Sequence, residues 1–493
     1  MLRKIRTVLA LVFFVGITLL FLDFTGLAQS WWGWMAKIQF FPAVLALNVG
    51  VVIALVLLTL LFGRVYCSVI CPLGVFQDIF NRLSARRKKH RFRLRYAKAH
   101  NILRYIMLGV FVIAVIFGIG SVVALLAPYG TYGIIAQNLF APVWAWGNNL
   151  LAALAERADS YAFHRTDIWI RNVALFVAAC VLFVVLAVLA WRKGRLYCNT
   201  ICPVGTVLGF LSRFAWFKPI INTSKCVNCG LCARQCKAQC IDAENHVVDY
   251  SRCVGCMDCI DQCHEKAITF SHPAKSSAEG DTAPDKGRRN FLVATAALGT
   301  SALAQAQEKT VDGGLAVILD KKAPRRHTRI VPPGSVGLWH MERHCVGCQL
   351  CVANCPNGVL RPSSDLKTFM QPESSYERGY CRPECTKCSE VCPAGAFHPI
   401  NKAQKTSIQI GRAVWVKENC LPLTKGVECG NCARHCPSGA IQMVPSVAGD
   451  PFSPKIPVVN EERCIGCGAC ENLCPSRPFS AIYVEGNEIH RTL

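Results

Sequence analysis

Two groups of four cysteines in the middle of the chain have the spacing of iron–sulfur ligands. Both follow the pattern C-x2-C-x2-C-x3-C, and they comprise Cys226, Cys229, Cys232 and Cys236, then Cys253, Cys256, Cys259 and Cys263. Three thiolates on one tight loop can hold three corners of a [4Fe–4S] cubane, whereas the fourth cysteine of each group ligates the other cluster. The spacing therefore predicts two ligand sets, named here the Cys226 set (Cys226, Cys229, Cys232 and Cys263) and the Cys253 set (Cys253, Cys256, Cys259 and Cys236).

Zinc and disulfide bonds are the alternatives to iron for so many cysteines. Zinc sites use two separated cysteine pairs, without a third and a fourth cysteine at this spacing. Disulfide-dense chains are usually short and secreted, whereas this chain has 493 residues and 30 cysteines. All but Cys180 and Cys240 fall in ligand-like motifs, and we expect those two to be packing residues. The cysteine pattern therefore favours iron–sulfur chemistry.

The last third of the chain contains four further motifs of this kind. They are Cys345, Cys348, Cys351 and Cys355; Cys381, Cys385, Cys388 and Cys392; Cys420, Cys429, Cys432 and Cys436; and Cys464, Cys467, Cys470 and Cys474. A proline follows the last cysteine of each motif, as in bacterial ferredoxins. The gaps after Cys381 and Cys420 are longer than usual, so these two are the least regular ligands.

The same exchange of the fourth cysteine pairs these motifs and predicts four more clusters, six in all. The ligand sets are the Cys345 set (Cys345, Cys348, Cys351 and Cys392), the Cys381 set (Cys381, Cys385, Cys388 and Cys355), the Cys420 set (Cys420, Cys429, Cys432 and Cys474) and the Cys464 set (Cys464, Cys467, Cys470 and Cys436).

Long apolar runs precede the first cluster motif. They extend from Thr7 to about Phe24, from Phe41 to about Phe62, from Ile102 to about Leu126 and from Val173 to about Ala190. About 20 apolar residues suffice to cross a bilayer. The first run could also be a signal peptide, but no convincing small-residue cleavage site follows it. We therefore predict a four-span α-helical membrane bundle with α+β ferredoxin-like modules attached.

A repeated motif follows the second and the fourth apolar runs. The first copy reads Gly63-Arg-Val-Tyr-Cys67-Ser-Val-Ile-Cys71-Pro-Leu-Gly74, and the second reads Gly194-Arg-Leu-Tyr-Cys198-Asn-Thr-Ile-Cys202-Pro-Val-Gly205. Cysteines at i and i+4 of a helical turn present both sulfurs to one side, so two copies packed about a pseudo-twofold axis would bring four thiolates together. We predict a seventh metal centre there, which suits an iron–sulfur cluster or zinc. A redox-active dithiol pair and a purely structural turn are the alternatives.

The chain divides into four predicted parts. Residues 1–217 form the membrane domain, 218–272 a two-cluster module, 273–307 a linker with a signal or anchor, and 308–493 a four-cluster domain. In the linker, Arg288 and Arg289 precede a weakly apolar stretch that ends near Ala306, which resembles a twin-arginine (Tat) address. We expect this stretch to remain as a fifth membrane anchor, with a cytoplasmic linker helix as the alternative.

The formal net charge of +23 is a feature that nucleic-acid-binding proteins share. Much of it, however, lies beside the apolar runs, as in the basic segment 86–98, and Lys and Arg there mark cytoplasmic loops. We therefore expect no nucleic-acid partner, and we expect the two-cluster module to be cytoplasmic. No histidine lies inside the apolar runs and no C-x-x-C-H motif occurs, so we expect no haem.

Four spans, two CxxxCP repeats and a two-cluster ferredoxin resemble the membrane ferredoxin subunit NapH of periplasmic nitrate reductase systems. The twin arginines, the run Val331-Pro-Pro-Gly-Ser335 and the four irregular motifs look like its periplasmic partner NapG, so the chain resembles a natural fusion of the two. The resemblance implies quinol oxidation at the bacterial inner membrane. Electrons would pass from the quinone pool to a periplasmic reductase or c-type cytochrome, with the carboxy-terminal domain in the periplasm.

Relatives that share the CxxxCP repeat leave a second function open. The resemblance to NosR and CcoG implies an assembly or maturation factor that reduces a metal or a thiol in a partner enzyme. NosR-like chains carry a large extracytoplasmic flavin domain, for which the outer loops are too short here, so we expect no flavin.

One outer segment is a candidate quinol site. The predicted loop Pro128–Asp167 carries Tyr129, Tyr132, Trp144 and Trp146. Aromatic rings at a membrane interface can sandwich a quinone head, although they more often anchor a bundle.

Overall fold

The computed structural model describes residues 2–23, 25–86, 94–160, 163, 165–166, 173–272, 309–310, 317–318 and 320–493. The predicted linker and twin-arginine segment, 273–307, and residues 87–93 of the basic segment lie outside the described residues.

The first 217 residues are mostly helical where they are described. The helices are α1 (Leu2–Leu22), α2 (Leu27–Trp32), α3 (Trp34–Lys37), α4 (Phe40–Leu45), α5 (Val49–Phe62), α6 (Val65–Val69), α7 (Pro72–Arg86), α8 (Asn101–Ile116), α9 (Gly120–Leu126), α10 (Pro128–Ile135), α11 (Ala141–Arg157), α12 (Val173–Lys193), α13 (Leu196–Thr200) and α14 (Pro203–Leu211). A π-helical turn, Ala136–Phe140, joins α10 to α11, and a 3-10 turn, Ser212–Phe214, follows α14.

Only α1 and α12, among the described residues, are long and apolar enough to cross a bilayer. The second predicted span is divided into α4 and α5, because Leu47 has a φ of 51° and Asn48 caps the next helix. The third is divided into α8 and α9 at Gly118, whose φ is 67°. Residues in this left-handed region end helices. The prediction of four continuous spans is therefore not confirmed.

Both helix breaks lie against the carboxy-terminal domain, residues 320–493. Gly395 packs on Ala46 at the first break, and Gly120 packs against the side chain of Gln371 at the second. A methyl group at Gly120 would overlap that glutamine side chain. The two helix breaks therefore lie at an interface between the bundle and this domain. The apolar runs of the sequence do not predict this interface.

The prediction of an outer loop over 128–167 is wrong for most of its described length. Pro128 begins α10 in the first helical position, where proline is favoured. Helix α10, the π-helical turn and α11 then follow without a break up to Arg157. The aromatic residues of this segment therefore lie on helices, Tyr129 and Tyr132 on α10 and Trp144 and Trp146 on α11.

The amino-terminal module, residues 218–272, is an α+β unit, as predicted. Its strands are β1 (Lys218–Ile221), β2 (Ile241–Asp242), β3 (Val247–Val248) and β4 (Ile268–Ser271), and its helices are α15 (Leu231–Arg234) and α16 (Asp258–Gln262). Strand β1 pairs with β4, and β2 pairs with β3, both antiparallel. Each helix carries the third cysteine of its motif, and the fourth cysteine follows the helix end.

The carboxy-terminal part combines short helices with two-stranded antiparallel sheets. Its elements are β5 (Lys309–Thr310), β6 (Val317–Ile318), α17 (Leu338–His344), α18 (Leu350–Ala353), β7 (Leu360–Pro362), β8 (Pro372–Ser374), α19 (Lys387–Val391), α20 (Lys402–Ser407), β9 (Ile408–Trp415), α21 (Leu421–Lys425), α22 (Asn431–Arg434), β10 (Ile441–Pro445), β11 (Lys455–Val459), α23 (Ala469–Leu473) and β12 (Ile482–Thr492). The sheets pair β5 with β6, β7 with β8, β9 with β12 and β10 with β11. A 3-10 turn, Lys417–Asn419, precedes α21.

A different ferredoxin unit contacts each end of helix α1. Near its start, Arg3 forms ion pairs with Asp258 and Asp261 of the amino-terminal module, at 3.1 and 2.6 Å. Near its end, the Asn354 side chain of the carboxy-terminal domain donates a hydrogen bond to the carbonyl of Leu20 at 3.5 Å. A helix of 21 residues is about 30 Å long, which is the thickness of the apolar core of a bilayer. The two units therefore lie on opposite sides of the bundle.

Candidate metal centres

The amino-terminal module brings both of its predicted cysteine sets together. One cavity of about 150 Å³ is lined by the four members of the Cys226 set, Cys226, Cys229, Cys232 and Cys263. In the Cys253 set, burial chiefly raises the pKa of Cys259, and the neighbouring thiols, Cys236 included, raise it as well. The fourth cysteine of each motif thus lies with the other motif, as the spacing predicts.

Cys240, which we expected to be a packing residue, contacts a ligand of the Cys253 set. Its side chain is buried, and its sulfur lies 3.5 Å from Sγ of Cys236. The hydrogen bond from Cys240 is the main reason why the pKa of Cys236 is lowered to about 7. The thiol of Cys240 therefore stabilises a ligand thiolate in addition to filling space.

The first pair of carboxy-terminal motifs shows the same exchange. Burial, with a smaller contribution from the nearby Cys392, raises the pKa of the Cys345 thiol to about 12. In the second motif, burial and then the thiols of Cys381 and Cys355 raise the pKa of Cys388. Each set therefore contains a thiol from the other motif, and the irregular Cys381 lies with the other members of its own set.

The second pair of carboxy-terminal motifs is arranged likewise. A small cavity of about 30 Å³ is lined by the four members of the Cys420 set, Cys420, Cys429, Cys432 and Cys474. In the Cys464 set, burial and then neighbouring thiols that include Cys436 raise the pKa of Cys467 to about 12. The long gap after Cys420 is therefore an insertion that leaves this cysteine beside its expected partners.

The sets form one sequence of neighbours that leads away from the bundle. The Cys345 set is nearest, because the carbonyl of Cys348 packs directly on Gly133 of α10. Its exchanged cysteine joins it to the Cys381 set. The backbone of Cys381 then donates a hydrogen bond of 2.9 Å to the carbonyl of Cys467 in the Cys464 set. The Cys420 set, joined to the Cys464 set by exchange, comes last in this succession.

The six ferredoxin sets consist of cysteines alone. In the described parts of the chain, no group of three or more His, Cys, Asp or Glu side chains could hold one metal ion. A zinc ion draws its ligands to about 2.3 Å from one point, whereas a cubane separates its four ligand sulfurs by the whole cluster. Four cysteine thiolates are the ligands that a [4Fe–4S] cluster takes, so the donor chemistry of each set fits such a cluster.

The two copies of the repeated motif meet inside the bundle. They form what we name the tetracysteine site, Cys67, Cys71, Cys198 and Cys202, whose members are each at most 5% exposed. Burial and then the thiols of Cys198 and Cys71 raise the pKa of Cys202, so thiols of the two copies lie within electrostatic range of each other. The structure thus brings together the four cysteines that the repeat singled out.

Each copy of the repeat extends an arginine into the other copy. Arg64 donates a hydrogen bond to the carbonyl of Cys198 at 3.0 Å, and Arg195 donates one to the carbonyl of Cys67 at 2.8 Å. Each arginine also approaches the sulfur of its own copy, Arg64 at 3.9 Å and Arg195 at 3.8 Å. Both side chains are fully buried. These reciprocal contacts are those expected of two hairpins related by a pseudo-twofold axis.

A glycine in each copy makes room for these contacts. A side chain at Gly74 would overlap the carbonyl of Cys67 and crowd Arg195, and one at Gly205 would overlap the carbonyl of Cys198 and crowd Arg64. Neither glycine has the left-handed backbone that would explain it otherwise. The repeat therefore keeps glycine at these positions because two polypeptide segments approach closely.

A buried carboxylate holds the tetracysteine site to its surroundings. Asp78 of α7 accepts hydrogen bonds from Arg195 at 2.7 Å, from Arg6 at 2.5 Å and from Lys237 at 2.9 Å. Burial opposes its ionisation, but Arg195 and Lys237 outweigh that effect and hold the pKa of Asp78 below its ordinary value. Asp78 therefore links α1, the second repeat and the amino-terminal module.

The aromatic residues of the candidate quinol site do not lie together. Tyr129 and Tyr132 are buried in the bundle beside Phe21, whereas Trp144 and Trp146 are 48% and 63% exposed on α11. Trp144 lines a cavity of about 470 Å³. The other residues around this cavity are Leu19, Asp23, Thr25, Leu27, Ala28, Trp31, Trp32, Asn148 and Phe163.

Family comparisons identify iron–sulfur domains in several parts of the chain. A 4Fe-4S binding domain matches residues 44–91 and again 173–224, the two stretches that contain the repeat. A 4Fe-4S dicluster domain matches residues 344–397, and a related dicluster domain matches residues 426–477. These matches support several [4Fe–4S] centres.

Known relatives place the chain among ferredoxin-type proteins. The methylamine utilization ferredoxin-type protein MauM of Methylobacillus flagellatus is 33% identical over 167 residues, which are 33% of this chain and 70% of that protein. This chain belongs to the MauM family of ferredoxin-type proteins. The ferredoxin-type proteins NapF and NapG of Escherichia coli K12 are 28% and 29% identical to it, over 36% and 39% of this chain and 99% and 82% of their own lengths. No solved structure matches this ferredoxin-type protein. Its relatives support iron–sulfur electron transfer, without separately showing a fusion of NapH and NapG.

Four functional candidates gained their roles only from the structure. Arg64 and Arg195 occupy the same position in both copies of the repeat. This repetition was the sequence feature that could have indicated their contacts with the cysteines. Cys240 and Asp78 offered no such signal, because a single cysteine or aspartate in an apolar context has no distinguishing pattern.

Proposed function

We propose that this ferredoxin-type protein is a membrane-bound electron carrier that conducts electrons between two ferredoxin units on opposite membrane faces. The observation that supports the proposal is the contact of each end of α1 with a different unit, through Arg3 at one end and Leu20 at the other. The unbroken succession of cysteine sets beyond α10 supports it further. An ordinary two-cluster ferredoxin would need neither the bundle nor a second unit.

The orientation follows from charge. Arg3, Lys4 and Arg6 precede the body of α1 and the basic segment 86–98 follows α7, so the positive-inside rule assigns that face to the cytoplasm. The amino-terminal module then lies in the cytoplasm of a bacterium, at its inner membrane. The carboxy-terminal domain lies in the periplasm, and the twin-arginine segment with Arg288 and Arg289 exports it after its clusters have been inserted.

Quinol is the proposed electron donor, and a periplasmic reductase or c-type cytochrome the proposed acceptor. Oxidation of one quinol to quinone releases two protons and two electrons, and the electrons leave singly because each cluster carries one. The cavity beside Trp144 is the better candidate for the quinol head, since it lies near the end of α1 that the carboxy-terminal domain contacts and is lined by aromatic rings. Tyr129 and Tyr132 are buried in the bundle and do not line this cavity.

The cofactors in this proposal are six [4Fe–4S] clusters in the six cysteine sets and a seventh metal centre in the tetracysteine site. The clusters carry the redox chemistry, and the protein sets their spacing and potentials. The chain's own residues hold the ligands, exclude water from the buried sulfurs and supply hydrogen bonds to them, as Cys240 does to Cys236.

The test is reduction of the purified, oxidised protein by a short-chain quinol. We expect quinone to form while cluster absorption bleaches and EPR signals of reduced clusters appear. Trp144→Ala should slow this reaction, whereas Trp146→Ala is the matched control, because Trp146 lies on the same helix outside the cavity. Clusters that dithionite reduces but quinol leaves oxidised would contradict quinol as the donor. Equal slowing by both variants would place the quinol site elsewhere.

A further inference from the structure

The tetracysteine site carries more buried positive charge than its carboxylates balance. Five buried cations lie at it or beside it, namely Arg6, Arg64, Arg104, Arg195 and Lys237. Among the described residues, only two carboxylates, Asp78 and Asp258, form ion pairs with these buried cations. Burying an unpaired charge costs several kcal/mol, so the surplus calls for further negative charge in the same place.

Two of these arginines have no carboxylate within ion-pair distance in the part of the chain that is described. Arg64 donates to the side chain of Asn199 at 2.8 Å and to the carbonyl of Ser251 at 3.2 Å. Arg104 donates to the same Ser251 carbonyl at 3.1 Å and to the carbonyl of Gly205 at 3.3 Å. These acceptors are neutral and satisfy the N–H groups without neutralising the charges.

Several donors of the same arginines remain without any acceptor. Nε of Arg64, Nε of Arg104 and Nη2 of Arg195 are buried and make no hydrogen bond. Buried donors without partners are rare and call for an explanation. The sulfurs of Cys67 and Cys198 already lie within 4 Å of Arg64 and Arg195, respectively, so the missing acceptors of these two arginines are expected on the cysteine side.

We propose that the two copies of the repeat hold a single [4Fe–4S] cluster between them, each supplying two of its four ligands. Four thiolates around a [4Fe–4S]2+ core carry a net charge of about −2, which offsets the surplus of the arginines, and the sulfides of the core offer acceptors to the orphaned N–H groups. Neutral dithiols or a disulfide would contribute none of this negative charge at the tetracysteine site. The inference rests on the proposed function only for the role of the cluster, and the charge argument stands without it.

A cubane in the tetracysteine site would connect the two ferredoxin units. On one side, the backbone of Arg195 donates to the carbonyl of Lys237 at 2.8 Å, next to the ligand Cys236. On the other side, the Tyr197 hydroxyl donates to the carbonyl of Leu126 at 3.4 Å, close to α10 and the Cys345 set. Held there by its four cysteines, a [4Fe–4S] cluster would supply transfer of one electron at a time between the neighbouring clusters on the two sides, with no proton transferred.

Iron analysis of single and double variants tests whether the cluster is shared. Cys71→Ser and Cys202→Ser should each remove about four irons per chain, and the double variant should remove no more than either one, because all three destroy the same centre. The other six sets should retain about 24 irons, and Cys180→Ser, outside every set, should lose none. Additive losses, loss of zinc in place of iron, or unchanged iron in these variants would each overturn the inference.

A glycine variant tests the crossing of the two copies without touching a ligand. Gly205→Ala should remove the same irons as Cys202→Ser, because the new methyl group displaces the Cys198 carbonyl and Arg64. Gly147→Ala is the control, since nothing lies within 4 Å of the added methyl group there. Full iron content in Gly205→Ala would contradict the crossed arrangement. Absence of iron from the six ferredoxin sets of the unaltered protein would overturn the proposed function instead, so the two failures are distinguishable.

Discussion

Replacing Asp78 by alanine is expected to destabilise the bundle by about 3–5 kcal/mol, the cost of breaking a buried ion pair by removing one partner. Asp78 is the common acceptor for Arg6, Arg195 and Lys237. Alanine would leave these cations facing one another in a buried region. Among the described residues, only Lys237 keeps a second carboxylate, Asp258, at 2.9 Å. The free energy of unfolding in detergent, measured with denaturant, gives the size of the effect.

A surface ion pair provides the matched control for Asp78. Glu156 pairs with Arg165 at 2.5 Å, but both side chains are well exposed, so Glu156→Ala should change the free energy of unfolding by less than about 1 kcal/mol. Equal effects of the two substitutions would contradict the role given to Asp78. Because Arg195 also contacts Cys67 and Cys198, Asp78→Ala should in addition release the iron of the tetracysteine site before that of the ferredoxin sets.

Cys392→Ser is expected to destroy the cluster of the Cys345 set, although Cys392 belongs to the second motif. Its thiol lies with Cys345, whose pKa it helps to raise, and a cubane that loses one of its four ligands is not retained. The variant should lose about four irons, together with the EPR signal of the set nearest the bundle. Electron transfer from the amino-terminal module to the carboxy-terminal domain should stop, because the entry point is gone.

Cys388→Ser, a neighbour in the same motif, is the control for this exchange. It should remove the Cys381 set instead, with the same iron loss but a different missing EPR signal. Identical spectra for the two variants would show that the cysteines of a motif serve one cluster, and would contradict the exchanged ligand sets.

The grouping of the cysteines could be predicted from the sequence, because the ligands of each cluster lie close to one another along the chain. Three ligands on one loop fix the spacing, and the fourth follows from the short helix between them, as α15 and α16 show. Even the insertions after Cys381 and Cys420 did not obscure the pattern. The similarity of the two copies of the repeat could be predicted for the same reason, since identical cysteine spacing implies similar turns.

The helix breaks and the arginine contacts could not be predicted from the sequence, because they depend on residues that are far away in the chain. Leu47 and Gly118 interrupt runs that are mostly apolar, although they contain Asn48 and Arg104. The carboxy-terminal domain that covers both breaks lies more than two hundred residues further on. Likewise Arg64 and Arg195 read as basic residues at the end of a span. Only the packing of one copy of the repeat on the other reveals that they are buried and turned toward the cysteines.

Electron transfer across a sealed liposome tests most directly whether the bundle connects the two ferredoxin units. The protein is reconstituted with ferricyanide trapped inside and dithionite added outside, and an ionophore collapses the membrane potential. The structure predicts that the trapped ferricyanide is reduced to ferrocyanide as the external dithionite is oxidised, at a rate proportional to the amount of protein inserted. A rate no higher than the leak of protein-free liposomes, in preparations whose six ferredoxin sets are fully loaded with iron, would contradict an electron path through the bundle.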